Sequence, residues 1–374
     1  MQPTHSQFAL LGTRRFLPFF ATQTLGAFND NVFKNALVIF VTFGIAGLSA
    51  AQESLYVNLA AGLFILPFFL FSATAGQIAE KYEKAMLIRN IKLLELGIAV
   101  LAAFGFALGS LPLLFGVLFL LGLQAALFGP IKYAILPQAL REDELVGGNA
   151  LVETATSLAI LLGSLLGGVL MAMAHGRGLV SAAVLVIAAA GYLASRGIPA
   201  AVPMAPSLVI NWNPLTETLA NLRFMRGNRP VLLSVMGISW FWFFGATFLA
   251  QLPGYTKQYL GGSEQVVTLL LTVFSIGTAA GSLLCERLSG HKVEIGLVPL
   301  GSIGLTLFGV DLYFAHPGAA AEQGLTAAQF LHVLGNHRVL WDLGLIGLFA
   351  GFYIVPLYSM VQQRSEASHR SRVI

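Results

Sequence analysis

Charge is scarce in this chain and cysteine is nearly absent. Asp, Glu, Lys and Arg make up only 10% of its 374 residues, and Cys285 is its single cysteine. A lone thiol excludes an intramolecular disulfide, and no His/Cys group has metal-ligand spacing, so neither a metal nor any other cofactor is expected. The sequence also lacks Gly-Lys-Ser and Gly-Lys-Thr, which removes the phosphate loop that ATP-driven transport would need. Its 21 basic and 17 acidic residues leave a net charge of +4. They are scattered between apolar runs and form no aromatic-interleaved patch, so no nucleic-acid partner is expected.

Apolar residues dominate: 56% of the chain is hydrophobic and the mean hydropathy is +0.78, far from the average of a soluble domain. About 20 consecutive apolar residues cross a bilayer core. Such stretches recur at 16–46, 55–79, 87–108, 112–136, 148–174, 179–196, 230–259, 265–285, 294–314 and 341–361, predicting an all-α integral membrane fold of about ten spans. Arg14 and Arg15 lead straight into the first stretch with no cleavage pattern after a short core, so that stretch is read as a retained span. With the N-terminus placed in the cytoplasm, the cytoplasmic segments collect most of the basic residues, Lys81, Lys84, Arg89, Lys92, Arg223 and Arg226 among them. The opposite side holds only Arg177, Lys257 and Arg338. That imbalance fits the positive-inside rule with both ends of this chain inside.

The longest connection follows the sixth span and opens with Pro199, Pro203 and Pro206. It divides the chain into a six-helix bundle over 1–196, a cytoplasmic linker over 197–229 and an incomplete four-helix bundle over 230–374. Within the linker, Leu215, Leu219, Leu222 and Phe224 recur near helical spacing beside Arg223 and Arg226. The segment is either an amphipathic helix along the membrane surface or a solvated connection.

The two bundles echo each other. Gly76 stands shortly before Glu80 and Lys81 after the second span, and Gly281 before Glu286 and Arg287 after the eighth; Pro130 and Pro356 stand near the ends of the fourth and tenth. Spans seven to ten therefore overlie spans one to four, as in transporters built of parallel repeats. In that register the last two helices of a twelve-helix parent are expected beyond Ile374. The Gly76, Glu80, Lys81 and Glu286, Arg287 segments are read as conformational latches. Gly163, Gly167 and Gly168 permit close helix approach, and Pro253 with Gly254 introduces a kink.

Ionisable groups at bilayer depth cost roughly 2.5–3.5 kcal/mol each on insertion scales, so they face a cavity or a partner. Asp30 and Lys34, four apart among Asn29, Asn31 and Asn35, share one face of the first span, and Lys132 lies near the end of the fourth behind Gly129 and Pro130. Asp30 and Lys132 either present opposite charges to a polar headgroup or hold helices together by pairing with each other or with Lys34. Glu95 and Glu153 are read as acids near cytoplasmic helix ends, each in a simple interfacial ion pair. His337 followed by Asp342 has the His-x4-Asp spacing of glycerolipid acyltransferases, but no Phe-Pro-Glu-Gly element follows and no catalytic residue is assigned. His316, His332 and His337 are expected in solvent.

Four segments resemble the bacterial lysophospholipid transporters of the major facilitator superfamily: Gly26-Ala-Phe-Asn-Asp30-Asn31, Gly129-Pro-Ile-Lys132-Tyr133, Gly148-Asn149-Ala-Leu-Val-Glu153 and Gly351-Phe-Tyr-Ile-Val-Pro356. The loop after Gly76 departs from the general superfamily pattern, with Glu80 in place of an Asp and Glu83 in place of a Gly. The resemblance implies two six-helix bundles and a flippase, not an enzyme, that returns lysophosphatidylethanolamine and lysophosphatidylglycerol to the cytoplasmic leaflet of the inner membrane for re-acylation. It implies substrate contacts at Asp30, Lys132 and Glu153, membrane lipid as the surroundings, and a monomer; Asn29, Asn31, Lys34 and Tyr133, beside those charges, are read as further substrate contacts. An acyltransferase and acyl-carrier-protein synthetase, in cis or in trans, are the implied partners. A proton-coupled exporter of amphipathic drugs and a membrane domain of a multifunctional acyltransferase remain as alternatives.

Overall fold

The computed structural model describes residues 6–43, 49–290, 292–315 and 324–373. Among them are fourteen α-helices and no strand. They are α1 (Leu17–Phe43), α2 (Ala50–Lys81), α3 (Lys84–Leu108), α4 (Leu111–Ala134), α5 (Leu136–Ala139), α6 (Leu145–Ala172), α7 (Gly176–Ser195), α8 (Pro214–Met225), α9 (Arg229–Tyr259), α10 (Glu264–Leu288), α11 (Leu297–Ala315), α12 (Ala327–His332), α13 (Asn336–Arg364) and α14 (Arg370–Val373).

Nine of these helices are long and apolar enough to cross a membrane. The tenth long helix, α1, falls short of that apolarity because Gln23, Asn29, Asp30, Asn31, Lys34 and Asn35 crowd into it. The chain is thus a multi-pass membrane protein, with nine candidate spans among the described residues where about ten spans were expected. Its outward surface is apolar to match. Phe69, Val186, Leu193 and Phe243 are each about 70–80% exposed, and on membrane-spanning helices such side chains meet lipid.

Local chemistry sets the helix ends. Ser49 and Gln52 form a capping box at the start of α2. Glu83 starts α3 by accepting the Ala85 and Met86 backbone N–H groups at 2.8 and 2.6 Å, and it also accepts the Ala201 N–H at 2.7 Å. The Glu found where the superfamily pattern has Gly is therefore an N-cap that also holds the linker. Gly109 ends α3 with φ of +63°, a left-handed turn that favours glycine. Helix α9 continues through Pro253.

Two compact units emerge, one of Met1–Arg141, Leu162–Arg229 and Arg364–Ile374, the other of Glu142–Leu161 and Pro230–Gln363. In the first, Phe33, Leu37 and Phe40 of α1 pack with Phe106 of α3, Leu118 of α4 and Val184 of α7. Helices α2 and α4 touch so closely that a Cβ on Gly122 would lie 2.2 Å from the Phe64 carbonyl oxygen. In the second unit the corresponding contact is between α10 and α13. There a Cβ on Gly281 would stand 1.9 Å from the Leu348 carbonyl oxygen, and one on Gly277 would stand 2.2 Å from that of Gly344. Glycine lines both seams because only a missing side chain lets backbones approach this far.

Candidate functional site

The polar run of α1 turns inward within the first unit. Asn29 is buried and donates through Nδ2 to Glu95 Oε1 at 3.2 Å. Glu95 lies on α3 with no solvent exposure, and it also receives Lys92 Nζ at 2.5 Å and Gln124 Nε2 at 3.1 Å. Three helices therefore converge on one carboxylate. The Lys92 ammonium fits because residue 26 is glycine, where a Cβ would stand 2.3 Å from Nζ. The Phe128 ring lies 5.4 Å away, within cation–π range.

Asp30 lies next along α1, half-buried and within electrostatic reach of Glu95, Lys34 and Lys92. Lys34 Nζ rests 4.3 Å over the Phe64 ring. Asn29 Oδ1, Asp30 Oδ1 and Gln124 Oε1 are buried with no hydrogen-bond donor among the described residues. Two acids, two ammonium groups and three unmated acceptors thus share one apolar bundle. Such an array is costly to bury for packing alone and suits a ligand carrying both charge signs.

A second cluster lies where α2 meets α3. Glu80 is fully buried, and its Oε1 accepts the Ser371 backbone N–H of α14, while its own carbonyl accepts the Met204 and Ala205 N–H groups at 3.1 and 3.0 Å. Gly76 makes room for α14, since a Cβ there would stand 2.7 Å from the Ser371 oxygen. Lys84 and Arg370 are the cations near Glu80. Burial draws the Arg370 guanidinium below its usual range, and the Glu80 carboxylate partly restores it. Lys81 stands outside this knot, 5.8 Å over the Tyr82 ring.

The second unit has its own polar clasp. Asn149 of α6 exchanges two hydrogen bonds with Gln362 of α13, at 2.6 and 3.0 Å, and donates to Ser359 at 3.3 Å. All three side chains are buried.

The Major Facilitator Superfamily model matches residues 18–374. The chain belongs to the major facilitator superfamily. The lysophospholipid transporter LplT of Cronobacter sakazakii is 27% identical over 98% of this chain and 85% of its own length. That of Klebsiella pneumoniae subsp. pneumoniae is 29% identical over 96% and 82%. Solved structures agree on the fold: the human organic anion transporter MFSD10 superposes with a TM-score of 0.69 at 16% identity, over 96% of this chain and 88% of its own. The proton:xylose symporter XylE gives 0.67 at 13% identity, over 96% and 84%. The resemblance drawn from the motifs is thus met by relatives that are named as transporters rather than enzymes.

In this superfamily member the anticipated residues are distributed unevenly. Asn29, Asp30 and Lys34 join the buried array. Asn31 is buried but turns its amide to the Ala27 carbonyl of its own helix at 2.7 Å. Lys132 is half-buried near the end of α4, with Nζ 4.9 Å from the Tyr133 ring, and Tyr133 is buried. Glu153 is buried on α6 in the second unit, and Glu286 is buried on α10 while Arg287 is exposed.

Two expectations are corrected. Lys92 is not a charge in a solvated connection: it lies eight residues into α3 and is fully buried against Glu95. Glu95 is in an ion pair, with Lys92, but not a simple one, because Asn29 and Gln124 from two further helices also bond it. His332 is exposed and His337 half-exposed, with its Nε2 2.8 Å from the Leu331 carbonyl; His316 lies outside the described residues. Lys92, Glu95 and Gln124 are the residues that sequence reasoning missed. The spacing of Lys92 and Glu95, three apart on one helix, was the available signal.

Proposed function

We propose that the chain carries lysophospholipids across a bacterial inner membrane, driven by a gradient or by the lipid's own distribution. The observation that carries this reading is the set of unmated buried acceptors beside the Lys92–Glu95 pair. An ethanolamine ammonium supplies three N–H donors for such oxygens, and a phosphate suits a lysine. The names of the relatives point the same way.

Lysophosphatidylethanolamine and lysophosphatidylglycerol are the proposed cargo, delivered to the cytoplasmic leaflet for re-acylation by an acyltransferase in cis or in trans. Asp30 and the Asn29–Glu95 group take the ammonium or glycerol end, and Lys132 the phosphate. The acyl chain remains against apolar helix faces. The N-terminus is cytoplasmic, and the Glu80 and Glu286 segments latch alternate states.

Uptake of labelled lysophosphatidylethanolamine into spheroplasts tests the reading at matched membrane abundance. Asp30→Asn and Lys132→Ala are each expected to abolish most uptake while the protein remains folded, and Glu95→Gln to abolish it with a loss of stability as well. Undiminished uptake in all three would reduce the array to helix packing. Uptake of amphipathic drugs but not lysolipid by the wild type would favour an exporter.

A further inference from the structure

Helix α8 has two unlike faces. Glu217, Asn221 and Met225, at four-residue spacing, are buried. Leu215 and Leu219 are 75% and 63% exposed, and Leu222 and Trp212 are exposed with them. At 3.6 residues per turn the three leucines fall within an arc of roughly 60°, turned away from the buried face, and Trp212 stands just before the helix.

The charge around this stripe has one sign. Between Ser207 and Arg229 the sequence contains one acid, Glu217, and Arg372 takes it through Nε and an Nη at 2.9 and 2.6 Å. Arg223, Arg226 and Arg229 are exposed. What α8 offers outward is therefore leucine bordered by guanidinium, with Trp212 at its entry, the pattern of a helix lying in an anionic lipid interface.

Position favours lipid over an acidic protein. The segment entering α8 is fastened to the last turns of α2: Gln77 Nε2 donates to the Asn211 carbonyl at 2.9 Å, and the Asn211 N–H donates to Gln77 Oε1 at 2.7 Å. Gln77 stands four residues before the end of a membrane-spanning helix, so α8 starts at the level where acyl chains give way to headgroups. From its inner face, the Glu217–Arg372 pair leads to α14, which Glu80 and Gly76 hold against α2.

We propose that α8 is an anchor for anionic phospholipid. Leu215, Leu219 and Leu222 seat in the acyl boundary of the leaflet at the α2–α3 connection, Arg223, Arg226 and Arg229 meet phosphates, and Glu217–Arg372 conveys that seating to α14. The inference stands apart from the identity of the cargo, because it concerns the lipid that surrounds the protein.

The test uses the full chain carrying Cys285→Ser, with an environment-sensitive fluorophore on Leu219→Cys, in nanodiscs of pure phosphatidylcholine or with added phosphatidylglycerol. A label on exposed Ala220→Cys, on the polar flank, serves as the water-facing control. The expected result is blue-shifted emission at position 219, quenched by brominated lipid, that strengthens with phosphatidylglycerol. Arg223→Gln with Arg226→Gln should lower the seated-to-free ratio about 25-fold, at roughly fivefold per arginine. Amide exchange at 371–373 should accelerate in the same variant, and Glu217→Gln should accelerate it without moving the fluorophore. Water-like emission in every disc overturns the anchor, as does a shift seen only in discs holding two copies, which would mark a protein contact. A shift indifferent to phosphatidylglycerol and to both arginines overturns the anionic preference, and unchanged exchange in both variants overturns the link to α14.

Discussion

Lys92 Nζ lies 2.5 Å from Glu95 Oε2, one turn away on the same helix, and neither side chain has any solvent exposure. Breaking a buried pair by removing one partner strands the other charge, typically at about 3–5 kcal/mol. Lys92→Met and Glu95→Gln should each lower thermal stability in detergent by that order. The double variant should lose less than the sum, since no uncompensated charge remains, and a double-mutant cycle reads the coupling. Additive losses would mean the two side chains act independently.

Gly26→Ala places a methyl where the Lys92 ammonium sits, 2.3 Å from Nζ. The ammonium is the end of a flexible chain and can yield, so a modest stability loss of about 1–3 kcal/mol is expected together with a large loss of transport. In a Lys92→Ala background the added methyl has room, and Gly26→Ala should cost little more. Unfolding midpoints and lipid uptake measured across the four proteins check both statements.

Gly281→Ala should be far less tolerated. Its Cβ would meet the Leu348 carbonyl oxygen at 1.9 Å, and that oxygen belongs to the backbone of a packed helix. The two helices must separate, and expression in folded form should fall below that of Gly309→Ala, where a Cβ meets nothing within 4 Å. Fluorescence-detected size exclusion of the two variants decides it.

Glu80→Ala removes the acceptor of the Ser371 N–H and the acid beside Lys84 and Arg370. A buried amide without an acceptor costs about 1–3 kcal/mol. Amide exchange at residues 370–373 should rise sharply while exchange in α3 and α7 is unchanged. Unaltered exchange in α14 would show that Gly76 packing, not the carboxylate, holds it.

Span positions were legible because bilayer crossing demands long apolar runs; the expected stretch at 230–259 and the observed α9 at Arg229–Tyr259 differ by one residue. Small-residue seams were legible too, and Gly163 and Gly167 pack against the backbone of Phe28 and Val32 as that spacing suggests. Lys92 and Glu95 were misjudged for a physical reason. Counted from the chain, they stand close to a basic helix start, but that count says nothing of which way a side chain faces, and both turn into the bundle toward Asn29 and Gln124.

The sequence alone determined a polytopic helical protein with Asp30 and Lys34 on one face, because the cost of polar groups in lipid writes both facts into a one-dimensional pattern. Only the tertiary structure decided which charges meet. Lys92 reaches Glu95 because residue 26 lacks a side chain, Asn29 and Gln124 reach it from two other helices, and Glu217 finds Arg372 across 155 positions of chain. Those contacts depend on how helix faces rotate and close upon one another, and hydropathy, which scores each residue against lipid, contains no term for that.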